Sequence, residues 1–188
     1  MNVQDLLNNL HLMERLKDAT RHCYTSMGRH ESVAEHSWRL ALMAYWISDE
    51  FPGVDMNKVI RMCLIHDIGE AFTGDIPTFL KTDADESTEE ALLFAWVETL
   101  PDPFRSEMRD LYHEMIARES VESKIYKALD GLEAVIAHNE SRIETWLPNE
   151  YELQLVYGYD KVAFSSYLSE LRDLVRSETV QKIEAEKQ

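Results

Sequence analysis

His66 and Asp67 interrupt the most apolar stretch of this chain, in the run CLIHDIGEAFTGDIP at 63–77. A buried charged carboxylate costs several kcal/mol unless it is paired or bound to a metal, so the pair needs a partner. Taken alone, a satisfied core histidine beside a capping aspartate would explain it. The wider pattern adds more. On a helix, Glu70 lies four residues after His66 and three after Asp67, and so projects from the same side as both. His36 falls just off the apolar stripe of an earlier helix. Asp130 sits in a third apolar helical run, KIYKALDGLEAVIAH, and is followed by Gly131. Two neutral imidazoles and two carboxylates balance a divalent cation. Mixed nitrogen and oxygen ligands suit Mn, Fe, Co, Ni or Zn, whereas Mg and Ca prefer oxygen alone. An octahedral ion held by these four would keep positions for water and a phosphate oxygen, which is what metal-assisted hydrolysis needs.

The elements that must position these groups all read as helices. Residues 3–18 carry Leu6, Leu7, Leu10, Met13 and Leu16 at helical spacing. Ser32 followed by Glu35 is a capping-box pattern that starts the helix of His36. Asp55 can cap a helix over about 56–72, whose apolar residues on nearly all sides predict a central position in a bundle. Further helices are predicted over roughly 87–100, 104–117, 120–139 and from about 160, with Pro101 and Pro103 separating the first two. Beyond Ser177 the chain turns charged and is expected to fray. No strand of period two emerges, so the fold class is all-α, a helical bundle of about six to eight helices.

Composition narrows the function. The 188 residues are 45% apolar and 29% charged, which fits one soluble domain rather than a disordered chain. A net charge of −16 disfavours long nucleic acid and anionic membranes as partners. A small phosphorylated substrate stays compatible if local cations or a metal offset the field. Lys81, Lys124 and Lys127 are candidates for that charge. No apolar run reaches the roughly 20 residues of a membrane span. The first ten residues lack the pattern of a signal peptide, so the expected location is cytoplasmic. Cys23 and Cys63 are too few for a disulfide framework or a four-cysteine zinc site. The aromatic stretch Trp146 to Tyr159 reads either as core closure or as a dimer surface.

The set His36, His66–Asp67 and Asp130, with the strings ESVAEHS (31–37) and HDIGEAFTGDIPTFLK (66–81), resembles the HD-domain metal-dependent phosphohydrolases. Within them it is similar to the bacterial 5′-deoxynucleotidases and their eukaryotic relatives. The resemblance spans about residues 15–135. It implies one HD domain over 1–188, with a core at about 15–140 and a C-terminal helical extension at about 150–180. It implies a single divalent metal (Co, Mn, Fe, Ni, Zn or Mg) on His36, His66, Asp67 and Asp130. Glu70 would handle water or protons, Asp75 would contact the sugar or act with Glu70, and Arg21 would meet the phosphate. The implied substrates are nucleoside 5′-monophosphates, and the implied assembly is a homodimer. The chain departs from the pattern at His22, where those deoxynucleotidases carry a tryptophan that helps to exclude a ribose 2′-hydroxyl. Other readings of the same residues are action on a cyclic nucleotide, a triphosphate or an alarmone, or a silent metal or nucleotide sensor. A sensor would not require the proton-handling carboxylate at Glu70.

Overall fold

Asn2 caps α1 (Val3–Met13) through its side chain, and after a break at Glu14 a single turn, α2 (Arg15–Asp18), follows. The computed structural model describes residues 1–186. The stretch read as one helix over 3–18 is thus two pieces. Strands β1 (Thr20–Tyr24) and β2 (His30–Ser32) then form an antiparallel hairpin. This is a correction to the strand-free reading, in a bundle that is otherwise helical. Thr20 pairs with Ser32 and Tyr24 with His30, so β1 carries two more residues than the strand it faces. Such a bulge re-aims side chains. Here it lets Arg21, His22 and Cys23 all line one cavity, and the ring nitrogen Nδ1 of His30 reaches the Arg21 carbonyl at 2.9 Å.

Helix α3 (Val33–Trp46) begins with the expected capping box of Ser32 and Glu35. Helix α4 (Met56–Ile65) begins at Asp55, whose side chain accepts from the Lys58 N–H. It ends earlier than expected, because the backbone tightens after Ile65. The N–H groups of Ile68, Glu70, Ala71 and Phe72 each bond three residues back, at 3.0–3.1 Å, leading into the short α5 (Glu70–Thr73). Side chains three apart eclipse one another in such a turn. Asp67 and Glu70 therefore share a face, while His66 is rotated away from Glu70. The Tyr112 hydroxyl donates to the Ile65 carbonyl at 2.7 Å, where the α-helical ladder is interrupted.

Thr82 opens α6 (Asp83–Val97) with a second capping box, and α7 (Phe104–Ala117) starts after Pro103 as expected. The longest internal helix, α8 (Val121–Glu140), is capped by Ser120. Two short helices, α9 (Glu150–Val156) and α10 (Tyr159–Val162), lead into α11 (Ser166–Glu186). The centre of the molecule is α3, α4 and α8 packed on one another. Leu40 and Ala44, Val59, Met62 and Cys63, and Ile125, Leu129 and Leu132 are their buried faces. Leu64 is 49% exposed, so α4 is amphipathic rather than apolar all round. Helix α11 lies along α8 and does not fray at Ser177. Thr179 is fully buried, and the Lys182 ammonium donates to the carbonyls of Asn139 and Ser141 at 2.7 and 2.5 Å. Those carbonyls end α8, where a cation is favoured. Trp146 is buried, with its indole N–H on Ser141 Oγ at 3.0 Å, so it closes the core.

Candidate metal centre and its cavity

The three central elements deliver their polar groups to one point. Helix α3 carries His36, the tightened turn after α4 carries His66 and Asp67, and α8 carries Asp130. Nε2 of His36 and Nε2 of His66 lie 3.2 Å apart. Asp67 Oδ2 is 3.0 Å from the His66 nitrogen and 3.8 Å from that of His36. Asp130 Oδ1 is 3.3 and 3.7 Å from the same two nitrogens. Donors each about 2.0–2.2 Å from one ion stand roughly 3.0 Å apart at a right angle and about 3.5 Å apart at a tetrahedral one. The observed spacings match that span.

The proton positions make the same demand. Nδ1 of His66 faces the Cys63 carbonyl at 2.9 Å and must donate to it. Nδ1 of His36 makes a short bond to the buried carboxylate of Glu133. When neutral, both rings therefore turn an unprotonated Nε2 lone pair toward the other and toward two carboxylates. Four acceptors converging without a donor need a cation between them. With a proton as the only cation, burial and Arg21 work against charge on His36, yet Glu133 and Asp130 outweigh them and raise it to about 9. Burial raises Asp67 and Asp130, but the imidazoles, and for Asp130 first of all Lys127, hold both below the carboxylate range. The donor set fits a divalent ion.

A cavity of about 380 Å³ opens beside these donors, within the size range of small-molecule sites. Asp67 and Asp130 line it, as do Arg21, His22, Glu70, Asp75 and Lys81. Glu70 is 6% exposed and its Oε2 has no partner. Burial, then the charges of Asp67 and Asp75, push its carboxyl up to about 10. Asp75 is raised for the same reason, burial first, with Arg21 opposing. It follows Gly74, whose φ of 76° and ψ of 167° belong to a region open essentially to glycine alone. The Arg21 guanidinium lies 3.4 Å from Glu31 and 3.8 Å from Asp67. Lys81 reaches the cavity with its ammonium on Glu89 at 2.8 Å. Glu89 packs so closely over Gly69 that a Cβ there would sit 2.7 Å from its Cγ. His22 stands 3.0 Å from Glu150. Of the other two lysines, Lys127 lines the cavity and donates to Asp130 Oδ2 at 2.7 Å, whereas Lys124 is exposed on the outside of α8.

Sequence reasoning missed the shell behind the donors. Glu133 is fully buried between His36 and Arg39, whose Nε donates to it at 2.6 Å. Its signal was present: a carboxylate one turn beyond Asp130, on the same apolar stripe. Glu31, Glu150, Tyr157 and Lys161 carried none, because their place at the site depends on the hairpin and on α9 and α10.

A helical bundle in which His36 on α3, His66 and Asp67 in the turn after α4, and Asp130 on α8 converge is the class that fold and site define. The HD domain family matches residues 13–172 of the chain. Human 5′-deoxynucleotidase HDDC2 is 31% identical over 141 residues, 73% of this chain and 68% of that protein. The crystal structure of a predicted metal-dependent phosphohydrolase from Magnetospirillum magnetotacticum MS-1 superposes with a TM-score of 0.78 at 27% identity, covering 94% of this chain and 93% of the other. The cyanophage S-2L HD phosphohydrolase DatZ, bound to dA and one catalytic Zn2+ ion, shares the fold with a TM-score of 0.58 at 21% identity, over 93% and 96% of the two chains. This chain belongs to the HD domain family.

Proposed function

We propose that the protein is a divalent-metal-dependent phosphohydrolase that removes phosphate from ribo- or deoxyribonucleoside 5′-monophosphates. The observation that carries this reading is the convergence of two imidazole nitrogens and two carboxylates beside a cavity that holds Arg21, Lys81 and Lys127 in a chain of net charge −16. The kinship with a protein named 5′-deoxynucleotidase supports the substrate class. His36, His66, Asp67 and Asp130 hold the ion, and their mixed chemistry favours Mn, Fe, Co, Ni or Zn over Mg. A bound divalent ion supplies positive charge to a phosphoryl oxygen and lowers the pKa of water.

The chain's own residues do the rest. Arg21 and Lys127 neutralise the phosphate as the oxygen of water attacks phosphorus and the bond to the 5′-oxygen breaks. Glu70, protonated at neutral pH in the metal-free protein and one eclipsed turn from Asp67, gives or takes the proton that this exchange moves. Asp75, beside Glu70, holds the sugar or shares the proton, while His22 and Lys81 bound the substrate.

Stripping the protein of metal and adding back Mn, Co, Zn or Mg tests the reading, with phosphate release followed on a panel of 5′-monophosphates. Release that needs metal and vanishes in Asp67→Ala is the expected result. No release with any metal overturns it.

The core at about 15–140 and the helical extension at about 150–180 act as one unit. A homodimer is supported by Val3, Leu6, Leu7 and Leu10, which leave α1 apolar and exposed, and light scattering checks it. Two free, buried thiols suit a cytoplasmic location.

A further inference from the structure

Glu150 and His138, on one wall of the cavity, have no part in the chemistry above. His138 lies eight residues beyond Asp130 on α8, about 12 Å along the axis, and Ala134 and Val135 line the cavity between them. Beside His138 stands Glu150, the first residue of α9, which is 4% exposed. Its Oε1 is 3.0 Å from His22 Nε2 and its Oε2 is 3.5 Å from His138 Nε2. Neither approach is aligned as a hydrogen bond, and both imidazole nitrogens are buried without a partner. The Leu147 N–H donates to Oε2 at 2.5 Å and fixes the carboxylate, leaving Oε1 with no aligned donor. The two rings stack at 6.4 Å, with Trp146 behind His138 at 4.6 Å and the edge of Phe79 on His22 at 5.6 Å. The group lines the cavity and is short of aligned hydrogen-bond donors.

A buried carboxylate repels phosphate, so an anion belongs at the opposite end, with Arg21, Lys127 and the metal donors. A nucleotide held there directs its nucleoside half along α8 toward Glu150. We propose that Glu150, fixed by the Leu147 N–H and flanked by His22 and His138, determines specificity by accepting two adjacent hydrogen-bond donors from the nucleoside. Two groups carry such a pair, the ribose 2′,3′-diol and the imino–amino edge of guanine. A site built on a hydrogen bond discriminates strongly against the analogue that lacks it, because its own polar group is then left unpaired. The inference rests on the function proposed above.

Three substrates separate the sources. AMP has only the diol, dGMP only the guanine edge, and dAMP neither. The manganese-loaded protein is expected to use AMP or dGMP with a kcat/KM at least about tenfold above that for dAMP, and Glu150→Gln to lower that ratio by a similar factor. Equal use of the three, or a ratio that Glu150→Gln leaves within twofold in a variant shown by thermal unfolding to be folded, overturns the proposal. The same comparison is made by calorimetric binding of adenosine, 2′-deoxyguanosine and 2′-deoxyadenosine to the manganese-loaded wild type. That arm needs neither turnover nor the variant, so it decides the question if no phosphate is released or if Glu150→Gln does not fold. Equal binding of the three nucleosides overturns the proposal, and tighter binding of either of the first two supports it.

Discussion

Glu70 is a buried carboxyl whose nearest charges include two other carboxylates, Asp67 and Asp75, and its raised pKa follows from that crowding. A carboxyl raised to about 10 in the metal-free folded protein keeps its proton there while the unfolded chain releases it, so its contribution to stability is present at low pH and lost as pH rises toward 10. Glu70→Gln mimics the protonated form. The melting temperature of the metal-free variant should therefore gain on that of the wild type as pH rises from about 5 to about 9. With metal bound, the same substitution should lower kcat by about 10²–10⁴-fold, the usual worth of a positioned proton carrier, without loss of metal. Metal retention with unchanged kcat would remove Glu70 from the chemistry. Glu133 acts through the His36 ring, so Glu133→Gln should weaken metal affinity by about 10–100-fold as measured by calorimetry. His66, whose Nδ1 is held by the Cys63 carbonyl instead, leaves that loss partial.

Among the elements, α3 is the one whose start the sequence states most openly, and the capping box at Ser32 and Glu35 is there. Arg29 first, then the Ser32 N–H, hold Glu35 down from the ordinary 4.5 to about 2. A depressed carboxylate stabilises the fold above its unfolded pKa, and that contribution is lost as pH falls through about 2. Glu35→Gln should flatten the fall in melting temperature between about pH 4.5 and 2, an effect kept modest by the exposure of the pair. The turn at Gly74 is a different kind of element, set by backbone alone. Gly74→Ala should destabilise by about 1–3 kcal/mol in urea unfolding, because its dihedral region excludes a Cβ. It should also displace Asp75 from the cavity, read as a rise in KM. The hairpin was not legible, since strands of five and three residues with a bulge show no alternation to read. The break after Ile65 was hidden for a related reason: apolar residues continue through it, and only hydrogen bonds three residues back betray the tighter turn.

For the molecule as a whole, four acceptors held around one point would make an ion bound there a structural element as well as a part of the proposed chemistry. Folding brings them together from two helices and the turn after a third, so metal should bind the native state far better than the unfolded chain. A free ion at 100 times its Kd adds about 2.7 kcal/mol, so EDTA should lower the melting temperature by several degrees, and Asp130→Ala should abolish that response. The residue types alone pointed to the four side chains that converge, and to the helical bundle. Burying His66–Asp67 and Asp130 in apolar helical runs demands compensation, and three such runs with compatible donors allow few solutions. The helix starts were legible because capping is local chemistry between residues three apart. Only the tertiary structure decided what surrounds those four donors. Arg21 and His22 reach the cavity through a strand bulge, Lys127 turns inward while Lys124 turns out, and Glu150 arrives from a helix that begins 20 residues beyond Asp130. Those placements depend on how separate elements pack against α8, and contacts across long loops leave no periodic signal in the chain that makes them.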